Sequence, residues 1–393
     1  MKKIASFILF FMLATCVCAC DDGGSDSQSD DSTKPVFSLT QTIENVGAIP
    51  NQVVLHGDDA YIVSSGDNVI QKLALETLTL QKNYIDLGEN ANPYAMAVDE
   101  DDIYIACSMS NQIIKTSTAD PTVLTTVMTQ TDGIDGPTDI LVSPDHIYVT
   151  NSEYDMTTYE PGGSVVVKSK TENQIAINET AYRNPTAIYN FNLKNFQGIV
   201  TVFTGQYLFD ANYNIIGFSK SAVGMGASFE HGSDSASMFD AVLLEDKDVG
   251  KMAPLSGGRV FVVGTASSST FHLIAYDARA DASQRYSLLS LSLEGDVAMI
   301  QPLAIDEERV VLANFNDDSL YLLDVSEENM RHCLDGDEAA CDVAQTKLRA
   351  TKFALSKSSV DKRGPISMAW DAKRKQLLVL NNLSETLDVI RID

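Results

Sequence analysis

Positive charge is scarce in this chain. Only 28 Lys and Arg stand against 54 Asp and Glu, a formal charge of -26 over 393 residues. Such a surface repels phosphate backbones and anionic lipid, which argues against DNA or RNA partners. Histidine is sparse too: His56, His146, His231, His272 and His332 are scattered over different segments. A CxxCH haem site, a paired CxxC, a GxSxG elbow, an HExxH helix and a Walker loop are all missing, so the common hydrolase and nucleotide chemistries have no motif to rest on. No apolar run reaches the roughly 20 residues that span a bilayer as a helix. No long stretch shows helical apolar periodicity either.

At the N-terminus, Lys2 and Lys3 precede a short apolar run, Ile4 to Ala14, which reads as a cleaved secretory signal over residues 1–19. The VCAC stretch that follows, Val17 to Cys20, resembles a bacterial lipobox, with Ala19 before the cut and Cys20 as the thiol that takes the lipid. The alternative cut is LATC, ending at Cys16. Acyl chains on Cys20 would hold the mature chain at a membrane surface, inner or outer. Residues 20–35 contain Asp, Ser and Gly and no side chain suited to a core, so they read as a flexible palmitoylated tether. Outside the cytoplasm, Cys333 and Cys341 are expected to form a disulfide across CLDGDEAAC. Cys107, at the end of a buried-looking strand, reads as a small apolar filler.

What the chain has in abundance is repetition. PNQVVLHGDDAYIVS from Pro50, PYAMAVDEDDIYIAC from Pro93 and PTDILVSPDHIYVTN from Pro137 share one proline-to-tyrosine separation. Each unit is an apolar strand, an acidic turn, a second strand with Tyr near its start, and a third strand: NVIQKLAL, NQIIKTS and SVVVKSK. Looser copies are anchored at Pro185, Pro254, Pro302 and Pro365, which makes seven units, with the longer spacings assigned to insertions in units four and six. A period mostly in the forties with about four short strands per unit is the pattern of a propeller blade. A lone four-stranded sheet cannot bury its faces, whereas a closed ring of them can. The fold class expected is therefore all-β, a seven-bladed β-propeller over residues 36–393. The last blade stops after ETLDVIRID with three strands, and VFSLTQTI, residues 36–43, precedes the first blade with no sheet of its own. The N-terminal strand is expected to complete the C-terminal blade and close the ring, covering a raw edge.

Tyr148-Val149-Thr150-Asn151 is the tetrapeptide YVTN, and the unit around it resembles the YVTN-type β-propeller repeats. The likeness is sharp in units one to three, fair in six and seven, and poor in four and five. It implies a seven-bladed propeller in extracytoplasmic proteins and no particular activity, because that family is defined by its scaffold.

Function is expected on the face where the loops between second and third strands meet the connections between blades. Two insertions are expected there: NSEYDMTTYEPGG, from Asn151, and residues 219–250 between blades four and five. Tyr154, Tyr159, Phe229 and His231 offer stacking surface and a polar handle. Glu153 and Asp155 offer charge for a cation or a basic group, and Asn151 lies at the base of the same loop. On the other face, Asp335, Asp337, Glu338 and Asp342 crowd carboxylates into the disulfide loop, where calcium is the conceivable ligand. Asn151, Asn314 and Asn381 recur at the end of second strands and are expected to hydrogen-bond the turn. The inner strands bring His56 and Asp139 but no convergent catalytic set. The leading expectation is a membrane-anchored binding scaffold for a protein, peptide or glycan. The competing one is a propeller enzyme such as a lactonase or metal-dependent hydrolase.

Overall fold

The computed structural model describes residues 37–155, 160–172, 175–179, 184–193, 196–203, 207–209, 215–218, 221–227, 238–244, 249–255, 260–265, 270–276, 286–293, 300–325, 351–356 and 361–393. They belong to the compact unit Pro35–Asp393. Strand β1 (Phe37–Glu44) stands ahead of the first sheet. Sheet one is β2 (Pro50–His56), β3 (Asp59–Ser64), β4 (Val69–Ala74) and β5 (Thr79–Asp86). Sheet two is β6 (Pro93–Asp99), β7 (Asp102–Cys107), β8 (Gln112–Ser117) and β9 (Thr125–Met128). Sheet three runs β10 (Pro137–Val142), β11 (His146–Asn151), β14 (Ser164–Ser169) and β15 (Ile175–Glu179), with a small hairpin, β12 (Tyr154–Asp155) and β13 (Glu160–Pro161), between its second and third strands.

Sheet four is β16 (Pro185–Leu193), β17 (Phe196–Phe203), β20 (Ser221–Ala227) and β21 (Met238–Leu244), with the hairpin β18 (Tyr207–Phe209) and β19 (Ile215–Phe218) at the corresponding place. Sheet five is β22 (Val249–Pro254), β23 (Val260–Thr265), β24 (Thr270–Tyr276) and β25 (Tyr286–Ser292). Sheet six is β26 (Ile300–Ala304), β27 (Arg309–Asn314), β28 (Ser319–Asp324) and β29 (Thr351–Ala354). The last is β30 (Pro365–Asp371), β31 (Gln376–Asn381), β32 (Thr386–Ile392) and, as its outer strand, β1. All strand pairs within these sheets are antiparallel, as short meander turns require.

The first strands touch in sequence, β2 to β6, β6 to β10, β10 to β16, β16 to β22, β22 to β26 and β26 to β30, and β30 meets β2 again. This is an all-β propeller. Its apolar cores lie between neighbouring sheets: Ile62 and Leu73 of sheet one pack with Leu378, Leu387 and Val389 of the last. Tyr61 and Ile70 pack with Met96, Ile103 and Ile105 of sheet two, and Leu273 with Leu312 and Leu323 across sheets five and six. Each such Leu, Ile or Val gives about 1.5–3 kcal/mol on leaving water.

Ring closure is direct. Phe37 pairs with Ile392, Ile43 with Leu387 and Glu44 with Thr386, with one register shift between Leu39 and Gln41. Thr40 at that bulge donates its hydroxyl hydrogen to the Val389 carbonyl at 2.8 Å. The described strand runs one residue beyond the expected 36–43 at its C-terminal end.

Local chemistry explains the repeated signature. Pro50, Pro93, Pro137, Pro185 and Pro365 each open an inner strand and are followed by a bulge. An inner strand is a sheet edge, so the absent N–H breaks no ladder. Lys72 crosses to β3 to reach Asp59 at 2.8 Å and lie over the Tyr61 ring at 5.9 Å. Lys115 repeats this one sheet on, with Asp102 at 2.6 Å and the Tyr104 ring at 5.5 Å. The register places each lysine directly opposite its tyrosine, with the aspartate on the diagonal.

Two expectations need correction. Residues 219–250 are not an insertion between sheets four and five, because β20 and β21 lie within them and form the outer half of sheet four. Gly224-Met225-Gly226 belongs to β20, paired across to Thr201, Val200 and Ile199. Pro254 closes β22 and Pro302 lies inside β26, so the proline anchor slips in these two sheets.

Candidate functional site

One end of the propeller gathers the starts of the first strands and the turns joining second to third strands. Its backbone follows a rule. The residue before each opening proline is left-handed: Ile49 (φ 49°), Asn92 (49°), Gly136 (58°), Asn184 (54°) and Gly364 (64°). The last residue of the second-to-third turn is left-handed as well, at Asn68, Asn111, Asp318 and Glu385. Asn, Asp and Gly adopt this region at low cost; a β-branched Ile does not.

These turn residues also bind the sheets to one another. The Asn92 N–H donates to Asn68 Oδ1 at 2.7 Å, and the Gly136 N–H to Asn111 Oδ1 at 2.8 Å. Asp318 Oδ1 accepts from the Arg363 and Gly364 N–H groups at 3.1 and 2.8 Å. Asn382 Nδ2 donates to the Pro50 carbonyl at 2.9 Å.

A second girdle runs along the inner strands. Gln52 Oε1 accepts from the Met96 N–H at 2.7 Å, and Ser367 Oγ from the Val53 N–H at 3.2 Å. Asp139 accepts from Ile140 N–H at 2.9 Å and from Ile188 N–H of the next sheet at 3.1 Å. The Tyr189 hydroxyl accepts from Met252 N–H at 3.2 Å. Lys251 Nζ donates to the Thr186 carbonyl at 2.9 Å. Burial raises the Asp139 carboxyl above the ordinary carboxylate range, against the pull of Lys251 and its two backbone donors. Burial and the Asp139 charge push the Tyr189 hydroxyl up. Tyr94 is raised for the same two reasons although its ring remains 41% exposed. Both tyrosines are therefore neutral hydrogen-bonding groups, and each Asp139 oxygen already serves the backbone.

Among the residues singled out from the sequence, Asn151 is fully buried. Its Nδ2 donates to the Gly133 carbonyl at 2.7 Å and to Ser164 Oγ at 3.1 Å, and its Oδ1 accepts from Asp135 N–H at 3.3 Å. It holds the turn together, as its place at the end of a second strand led us to expect. Asn381 is built in the same way, donating to Thr386 and Asp388, and Asn314 Oδ1 accepts from Asn316 N–H. Glu153 is half-buried and left-handed, and its Oε2 accepts from the Gly163 N–H at 3.2 Å. Tyr154 and Asp155 form one arm of the β12–β13 hairpin, on the expected face. Tyr159, Phe229, His231, Asp335, Asp337, Glu338, Asp342, Cys333, Cys341 and Cys20 lie outside the described residues. Among the described residues no cluster of His, Cys, Asp and Glu is placed to hold a metal ion.

Cys107 is free and buried, and burial pushes its thiol up to about 12. His56 is half-buried at the far end of β2 from this face, and His272 is buried in β24 beside Ser290. Four exposed apolar side chains at this end are not among the residues expected from the sequence: Ile49 (52% exposed), Tyr94, Met109 (65%) and Leu383 (40%). The residue before each opening proline was the available signal, because Ile49 breaks the Asn/Gly pattern there.

No family model matches the chain, and no curated protein does. Solved structures do. Hydrazine synthase of Kuenenia stuttgartiensis superposes with a TM-score of 0.66 at 12% identity, over 89% of this chain and 97% of that one. Virginiamycin B lyase from Staphylococcus aureus gives 0.62 at 8% identity, over 91% and 99%. The Cps50 (Swd1) β-propeller domain of Myceliophteria thermophila gives 0.61 at 10% identity, over 91% and 100%. At such identities the likeness is one of fold, the β-propeller.

Proposed function

We propose that this protein is an extracytoplasmic β-propeller scaffold that binds a protein, peptide or glycan on the face where the first strands begin. One observation carries the reading. Of the seven large apolar side chains exposed among the described residues, Ile49, Tyr94, Met109 and Leu383 gather at this end, although the backbone around them is already hydrogen-bonded. Exposed apolar groups on a rigid frame are what a binding surface needs. The ring is read as seven-bladed, supported by seven four-stranded sheets and the cycle of contacts between their first strands.

The same reading tethers the propeller to the inner or outer membrane through lipid on Cys20, with residues 20–35 as a spacer. It closes CLDGDEAAC by a Cys333–Cys341 disulfide and allows calcium at Asp335, Asp337, Glu338 and Asp342. Among the described residues no helix is long and apolar enough to cross a membrane. The competing reading is a propeller enzyme, a lactonase or metal-dependent hydrolase; the names of two similar structures, a lyase and a synthase, come with scaffold likeness alone. The test is an affinity pull-down from native membranes with the full chain, together with metal analysis and lactone turnover. A specific partner that survives washing is expected. A tightly bound metal with lactone turnover would overturn the scaffold reading.

A further inference from the structure

Ile49 stands where the other opening prolines are preceded by Asn92, Gly136, Asn184 and Gly364, and it adopts the same left-handed backbone. A β-branched side chain is the worst suited to that conformation. Packing does not justify the choice, because the side chain is 52% exposed. The conformation is imposed by its surroundings: the Ile49 carbonyl accepts from both the N–H and the hydroxyl of Ser65, at 3.2 and 3.0 Å. The fold thus holds an apolar group out in water at a position where Asn or Gly would be easier.

Its neighbours give the patch a direction. Leu383 adjoins through the Asn382–Pro50 hydrogen bond, and Tyr94 and Met109 flank the next sheet, where Ser108 N–H donates to the Asn92 carbonyl at 3.0 Å. Residues 44–50, 64–69, 86–93, 107–112, 128–137 and 151–164, which lead into and out of this face in sheets one to three, contain no Lys or Arg. They do contain Asp67, Glu89, Asp135 and Glu153. Lys362 and Arg363 stand on the Leu383 side, where Leu383 N–H donates to the Arg363 carbonyl at 3.0 Å, so the acidic border belongs to sheets one to three around Ile49. Exposed apolar side chains with such a border are complementary to a chain that carries both apolar and cationic side chains.

We propose that this face docks an extended, cationic and apolar polypeptide segment of a partner protein, with Ile49 as its apolar anchor. The inference rests on the scaffold reading and narrows its ligand to a polypeptide. The test uses the full chain and three labelled peptides: alternating Lys and Leu, alternating Glu and Leu, and alternating Lys and Ser. Fluorescence anisotropy should show the Lys/Leu peptide binding at least about tenfold more tightly than either control. Ile49→Asn should weaken that binding about tenfold or more while raising the melting temperature, and Ile49→Leu should retain it. No binding of the Lys/Leu peptide, equal binding of a control, or an affinity unmoved by Ile49→Asn would overturn the proposal. A membrane partner captured equally by wild type and Ile49→Asn would sink it while leaving the scaffold reading in place.

Discussion

Thr42 donates its hydroxyl hydrogen to Asp388 at 2.6 Å, joining the first strand of the propeller to the last. Asp388 is fully buried, and it also accepts from Asn381 Nδ2 at 2.8 Å and from the Arg363 guanidinium. One carboxylate thus collects donors from β1, β31 and the segment entering β30. Thr42→Val removes one donor from a charged acceptor and should lower stability by about 1–2 kcal/mol. Asp388→Ala strands the Arg363 charge among buried partners and should lower it by about 3–5 kcal/mol. Urea melts of the two variants check the order; equal losses would show that the carboxylate is not the hub.

On the opposite rim the same seam is held by charge. Asp58 of sheet one meets Lys373 at 2.8 Å and Arg374 at 2.7 Å, and these partners pull its carboxyl down to about 2. A folded-state value below the ordinary one contributes stability that is present above about pH 4 and lost as pH falls toward 2. The pair is well exposed, so the effect is small and shrinks with salt. Thermal melts of wild type and Asp58→Asn should differ at pH 5 and converge near pH 2. A gap that widens on acidification would be the wrong sign.

Cys107 should be chemically silent in the folded protein. Its thiol is buried and pushed up to about 12, while the thiolate is the reactive form. A maleimide or aromatic disulfide reagent should modify it only after denaturant is added, as mass spectrometry would show. Labelling in native buffer would mean that sheet two opens readily.

Gly264 of β23 lies against Ile300 of β26, across the boundary between sheets five and six. A Cβ built there would stand 2.1 Å from the Ile300 carbonyl oxygen, and that neighbour is backbone. Gly264→Ala should therefore destabilise by at least about 1–3 kcal/mol, because β23 and the inner strand β26 must part. A melting temperature unchanged by the substitution would show that the sheets can separate freely.

The sequence was most legible where one residue does one job. Pro50, Pro93 and Pro137 open inner strands because an edge tolerates a missing N–H, and Tyr61 and Tyr104 recur because each takes a lysine across the ladder. The pairing of β1 with β32 was legible from the raw ending of the last sheet. Sheet four was misjudged because Gly224 and Gly226 resemble loop residues, yet a strand accepts glycine at a loss of packing. Asn151 was legible as a turn residue. Its recurrence at a strand end pointed to a turn, but burial, which decides between turn and ligand, is a property of the packed neighbours. Ile49 was invisible for another reason: an apolar residue before proline looks ordinary until its φ is known.

The seam between β1 and β32 sets a clock on the protein's birth. Thr40 leaves the ribosome long before its partner Val389, 349 positions later in the chain. At synthesis rates of about 5–20 residues per second that is a wait of roughly 20 to 70 s. During it, Phe37 and Ile43, core residues in the finished ring, have no sheet to join. A nascent chain therefore carries an unsatisfied strand, open to a chaperone or to a neighbouring polypeptide, until β32 has been made.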